Sequence, residues 1–211
     1  MLVARAVLLD MDGTLVDSHA VVERCWRRWA AKHGLDPEIV LRDVHGKQGQ
    51  LTMAELLPDR PMADNLPENA ELVAQETADV DGVVEIPGAA ALLGALADFP
   101  HALVTSAGLG LATARMHTAG LALPAVRVLA EDVSASKPDP EGFLLGAAEL
   151  GVEPADCVVL EDSDAGIRAA RAAGMRVVGV GGRAAAFAPD LQVDDLTYLR
   201  VKIVGDEIRH V

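Results

Sequence analysis

Five short apolar runs recur along the chain, Ala4–Leu9, His101–Thr105, Ala125–Leu129, Cys157–Leu160 and Arg176–Val180, each closing on small or polar residues. Their hydrophobic positions are nearly continuous, which predicts strands buried on both faces. Elsewhere the apolar spacing lengthens to that of helices, over Ala89–Ala97, Leu111–Ala119, Glu141–Leu150 and Ala165–Ala173. Strand and helix in alternation specify a parallel sheet covered by helices on both faces. The punctuation agrees. Pro87-Gly88 precedes the first of these helices, Asp139-Pro140 opens the third, and Gly120, Gly151 and Gly174 follow the last three.

The stretch from Asp17 to Glu85 departs from this alternation and is mostly helical. Val22–Lys32 is amphipathic, Ala70–Ala78 is a second helical segment, and Leu57–Pro67 between them, rich in Pro, Asp and Asn, reads as a turn region. The fold class is therefore α/β: a Rossmann-like parallel sheet core with helices on both faces and an inserted small α-helical cap domain. Residues 1–16 and 86–211 form the core and residues 17–85 the cap. Trp26 and Trp29 share a helix face and are expected to pack the cap's interior. The tail, Val201 to Val211, is expected to form a hairpin turning at Gly205-Asp206.

Half of the 211 residues are apolar and only 3% are aromatic, so the interior must be aliphatic. A net charge of −14 without any Lys/Arg run argues against nucleic acid or an anionic membrane as partner. The N-terminal apolar run is short and interrupted by Asp10, so it reads as a strand and not a signal peptide. No apolar stretch reaches membrane-spanning length, and a cytoplasmic location is expected. Cys25 and Cys157 lie far apart without metal-ligand spacing and are expected to be reduced core residues. The histidines His33, His101, His117 and His210 show no mutual spacing that suggests zinc.

Chemistry-bearing residues gather where the predicted strands end. Asp10-Met11-Asp12-Gly13-Thr14 follows the first strand, and ligands of open α/β sheets bind beyond such ends. Two carboxylates at this spacing can share a cation, or one can attack while the other handles protons. Gly13 permits close backbone approach and Thr14 offers a hydroxyl. An Asx-turn would explain one aspartate but not the set. Ser106, with Ala107 after it, closes a second strand and can donate to a phosphoryl oxygen; a helix-capping role is the plainer alternative. Lys137, one of only four lysines, precedes Pro138 and so projects from an extended loop. There it can neutralise an attacking carboxylate and a transferring phosphoryl group. Glu161-Asp162 ends a fourth strand; adjacent carboxylates repel unless a cation compensates, and with Asp10 they make an oxygen-only site suited to Mg2+. Asp164, at the next helix start, reads as its cap.

These four clusters, in this order and each at a strand end, resemble the haloacid dehalogenase superfamily, and the likeness spans nearly the whole chain. The resemblance implies that Asp10 attacks phosphorus and becomes an aspartyl-phosphate. Asp12 would protonate the leaving alcohol, activate the hydrolytic water and lend its backbone carbonyl to Mg2+. Ser106 and Lys137 would hold the phosphoryl group, with Thr14 and Ala107 beside it. Asp162 would bind Mg2+ with Asp10, and Glu161 would ligate directly or through water.

Within that family the helical block resembles a cap that closes over small phosphate-ester substrates. Dehalogenases lack the second aspartate, which is present here as Asp12. Similar sugar-phosphate mutases carry a histidine ten positions after it, where this chain has Val22. The segment Val44-His45-Gly46-Lys47-Gln48-Gly49 is similar to the His-Gly-rich cap loop of sugar and polyol phosphatases, including the 2-deoxyglucose-6-phosphate phosphatase-like group. His45 and Lys47 are therefore expected to meet the substrate, although a plain cap turn would also fit them. The expected activity is hydrolysis of sugar or polyol phosphates by a monomer or weak homodimer. A phosphomutase, a phosphoglycolate-type phosphatase and a catalytically silent binding module remain as alternatives.

Overall fold

The structure is a computed structural model describing residues 3–42 and 44–210. Met1, Leu2 and Val211, at the ends of the expected core and tail, and Asp43 within the expected cap, lie outside the described residues.

The strands are β1 (Val3–Ala4), β2 (Ala6–Leu9), β3 (Val16–Asp17), β4 (Val84–Glu85), β5 (His101–Val104), β6 (Val126–Val128), β7 (Cys157–Glu161), β8 (Arg176–Val180), β9 (Leu191–Val193), β10 (Val201–Val204) and β11 (Glu207–His210). The helices are α1 (His19–His33), α2 (Pro37–Val40), α3 (Gly49–Leu56), α4 (Met62–Ala78), α5 (Ala89–Ala95), α6 (Leu109–Thr118), α7 (Glu141–Leu150), α8 (Asp164–Ala172) and α9 (Gly181–Ala184). A six-stranded sheet runs β6-β5-β2-β7-β8-β9, and every neighbouring pair in it is parallel.

The side-chain alternation of its strands builds two core layers. Val7 and Leu9 of β2 join Leu103, Leu160 and Val178 on one face. Ala6 and Leu8 join Ala102, Val104, Val159 and Val177 on the other. Each such leucine or valine contributes roughly 1.5–3 kcal/mol by leaving water. The near-continuous apolar runs are thus the signature of a sheet with no solvent face.

Two sequence expectations change at the edges of this core. The run Ala4–Leu9 is two strands broken at the exposed Arg5, whose backbone N–H donates to Asp156 at 2.7 Å. The short β1 pairs with β11 in a separate sheet of order β1-β11-β10, and β10 and β11 form the tail hairpin around Gly205-Asp206. At the start of α8 the cap is Ser163 rather than Asp164: its hydroxyl accepts the Gly166 N–H at 3.1 Å.

The chain leaves β2, enters the helical block through β3 and returns through β4, and those two strands pair antiparallel, Val16 opposite Glu85. Within the block α4 packs on α1 and α3, and it also contacts α6 of the core. Trp26 and Trp29 are buried and meet edge-on, ring centroids 5.3 Å apart. The expected turn region 57–67 is only partly a turn, because α4 begins at Met62 and carries Pro67 inside it. That proline removes one intrahelical donor at a cost of about 3 kcal/mol. The next residue ties the helix to its surroundings: the buried Glu68 is gripped by Lys32, Arg60 and His33, whose Nε2 lies 3.0 Å from it. Among the described residues no helix is long and apolar enough to cross a membrane. Cys25 and Cys157 are both free and buried.

Candidate active site

From β2 the chain connects outward through β5 to β6; from β7 it connects the opposite way through β8 to β9. The crevice beyond the carboxyl ends of β2 and β7 is therefore the switch point of the sheet, where ligands of such folds bind. Asp10 leaves the end of β2, its N–H donating to Leu160 of β7 at 3.1 Å. Glu161 and Asp162 come at the end of β7 itself.

Asp10 is buried, and its Oδ1 accepts from Lys137 Nζ at 2.6 Å. The same ammonium donates to Glu161 Oε1 at 2.9 Å and to the Val104 carbonyl at 3.2 Å. Its three protons are thereby used on one strand carbonyl and two carboxylates. Burial alone would lower the Lys137 pKa, but Asp10 and Glu161 outweigh it and hold the ammonium more firmly charged than usual. For Asp10 burial dominates and raises the pKa, Glu161 and Asp162 adding to the rise against Lys137. Asp162 is pushed up to about 7, first by burial and then by Glu161, although Arg183 donates to its Oδ2 at 2.8 Å.

Asp10, Glu161 and Asp162 each place one carboxylate oxygen within 4.8 Å of the others. Three buried oxygen donors against the two cations Lys137 and Arg183 leave an excess of negative charge. A hard divalent cation is the chemistry that answers it, and the donors fit one without sulfur or imidazole. Gly13, at φ 87°, makes the approach feasible: a Cβ there would sit 2.3 Å from Asp162 Oδ2. Glu161 is internally occupied, its second oxygen accepting from Ser163 N at 2.6 Å and Ser163 Oγ at 3.0 Å.

Asp12 turns toward the helical block. Its Oδ1 accepts from Ser18 Oγ at 2.7 Å and its Oδ2 from Arg115 Nη1 at 2.8 Å. Arg115 reaches in the other direction to Glu76 of α4, Nη2 to Oε2, at 2.7 Å. Sequence reasoning missed Arg115 and Glu76. The signal was available: Arg115 shares the buried stripe of α6 with Leu111, Ala112 and Met116, and Glu76 follows Leu72 on that of α4. A charge on an apolar stripe needs a partner.

The cap loop comes down onto the core ends. Ser106 Oγ donates to the Gly46 carbonyl at 3.0 Å, and the Gln48 N–H donates to Ser136 Oγ at 3.0 Å. Gly46, at φ 84°, leaves room for Ser163, whose Oγ a Cβ would meet at 2.2 Å. Between loop, block and core lies a cavity of about 430 Å³, the size of a small-molecule site. Asp10, Asp12, His45, Lys47, Ser106 and Arg115 line it. The His45 ring meets that of His19 at a tilt of 47°, centroids 5.1 Å apart, and burial, then the Arg183, His19 and Arg115 charges, push the His45 pKa down to about 3. Lys47 pairs with Glu55.

Of two further expected phosphate contacts, Thr14 lies off the cavity and Ala107 reaches it. Thr14 is fully buried and does not line the cavity, because the backbone turns tightly here, the Leu15 and Val16 N–H groups both donating to the Met11 carbonyl. Ala107 lines the cavity, but its N–H is already donated to Thr105 Oγ1 at 3.1 Å.

At the switch point of the parallel sheet two aspartates, a lysine and an acidic pair thus gather beneath a helical block. The chain belongs to the haloacid dehalogenase-like hydrolases, whose family profile matches residues 4–174. It is 44% identical over 194 residues to hexitol phosphatase A of Escherichia coli K12, covering 91% of this chain and 89% of that protein. It is 34% identical over 210 residues to validoxylamine A 7'-phosphate phosphatase of Streptomyces hygroscopicus subsp. limoneus, covering 95% and 98%. Among solved structures it is similar in fold to the beta-phosphoglucomutase of Clostridium difficile, with a TM-score of 0.81 at 23% identity, covering 93% of each chain.

Proposed function

We propose that this chain hydrolyses small phosphate monoesters of the sugar or polyol class through an aspartyl-phosphate on Asp10, with Mg2+ bound by Asp10, Asp162, the Asp12 carbonyl and Glu161, directly or through water. The observation that carries the reading is the buried Asp10 oxygen held 2.6 Å from Lys137 at the cavity floor, with a second carboxylate, Asp12, on the same loop. When bound, Mg2+ supplies charge neutralisation that lets a carboxylate approach a phosphate dianion.

Asp10 forms a bond to phosphorus as the bond to the ester oxygen breaks, and Asp12 gives that oxygen its proton. Asp12 then takes a proton from water as the water oxygen displaces Asp10, releasing phosphate and restoring the Asp10 carboxylate and the protonated Asp12 with which the cycle began. Lys137 and the Ser106 hydroxyl hold the phosphoryl oxygens by exchanging present partners, Lys137 its bond to the Asp10 carboxylate as that oxygen turns to phosphorus, and Ser106 its bond to the Gly46 carbonyl. Residues 17–85 act as a cap that seats over the leaving alcohol, where His45 and Lys47 meet its hydroxyls. A neutral His45 suits that task, since it both donates and accepts. The activities named for the two curated relatives support a sugar-like or polyol leaving group. A mutase would need an acid or base at Val22, which is apolar and lines the cavity.

Phosphate release from a panel of metabolite esters with Mg2+ tests the reading. Hexitol, hexose or glycerol phosphates should give the highest kcat/KM. Isomerised sugar phosphate without free phosphate would contradict it.

A further inference from the structure

Arg115 is 3% exposed and has a carboxylate on each side, Asp12 at 2.8 Å and Glu76 at 2.7 Å. Its three-part network joins three segments: the loop after β2, α6 of the core, and α4 of the helical block. Buried ionic networks of this kind add little stability over apolar residues of the same volume. Their presence in a cavity wall points to geometry, because a planar guanidinium held at both Nη atoms has little freedom to turn. Its partner is equally constrained, since Ser18 fixes the other Asp12 oxygen at 2.7 Å.

We propose that Arg115 is a positioning residue for Asp12 and that Glu76 aims it. Arg115 sets the direction in which the Asp12 carboxyl faces the leaving oxygen. Glu76 belongs to α4, so the aim holds while the helical block sits on the core, and proton transfer is tied to that seating. This inference rests on Asp12 being the acid and base of the reaction.

The test uses leaving-group dependence. An alkoxide needs a proton as it departs, whereas p-nitrophenolate leaves unprotonated. The quantity to follow is kcat/KM for the best polyol phosphate divided by kcat/KM for p-nitrophenyl phosphate. Asp12→Asn should lower that ratio; an unchanged ratio would remove the acid role itself and this inference with it. Given a selective Asp12→Asn, Arg115→Met should lower the ratio by about a hundredfold, the low end of what a positioned acid contributes. Arg115→Lys keeps the charge but cannot span both carboxylates, and should lower it by about tenfold. Glu76→Gln should lower it several-fold. Equal losses on both esters in Arg115→Met would make Arg115 merely structural and overturn the proposal. If that variant does not fold, an unchanged ratio in Arg115→Lys and Glu76→Gln overturns it instead.

Discussion

Lys47 carries the substrate prediction that belongs to a single residue. Its ammonium faces the cavity from the cap loop and is paired with Glu55, a surface carboxylate that a substrate can replace. Lys47→Ala should raise KM for sugar phosphates by roughly tenfold, as for loss of one charged hydrogen bond. KM for p-nitrophenyl phosphate should rise less, and equal rises on the two would deny Lys47 a part in recognising the alcohol. At this scale the sequence was most legible where strand ends collect carboxylates. Asp10, Ser106, Lys137, Glu161 and Asp162 all meet at one crevice as their positions imply. Thr14 was misplaced because the tight turn at Met11 sets its direction, and hydrogen bonds inside a turn leave no periodic trace. Arg115 was missed because its partners lie 103 and 39 residues away.

Helix α4 shows what elements hide. Pro61 and Pro67 gave its first turns the look of a loop, since proline is an unfavourable helix residue when judged locally. The counterweight is tertiary. Burial would raise the Glu68 pKa, but hydrogen bonds from Lys32, His33 and Arg60 prevail and lower it to about 2. A carboxyl depressed on folding stabilises fully above its ordinary pKa of 4.5 and loses that contribution as pH falls toward 2. Glu68→Gln should therefore lower stability by about 2 kcal/mol at pH 7, after allowing for screening at the exposed Lys32. Chemical denaturation at several pH values checks this. The gap between variant and parent should narrow from pH 5 to pH 3, and a gap constant over that range would contradict the ion-pair account. Five of the six parallel strands, by contrast, were legible to within two residues, because burial on both faces makes most of their positions apolar; the edge strand β9, half-buried and carrying Gln192, was not.

For the molecule as a whole, Asp10, Asp12, Lys137 and the pair Glu161-Asp162 lie at one end of one sheet, under a block of helices inserted after β2. Chelation acts on that whole assembly. EDTA should abolish phosphate release, and Mg2+ should restore it while raising the melting temperature, since a ligand that binds only the folded state stabilises it. Activity that persists in chelator would take the cation out of the reaction. The most direct test looks for the covalent intermediate. Acid-quenched enzyme, taken in steady state with its best substrate, should carry one phosphoryl group on the peptide containing Asp10, and Asp10→Asn should carry none. A phosphoryl group on any other residue, or phosphate release undiminished in Asp10→Asn, would contradict the account.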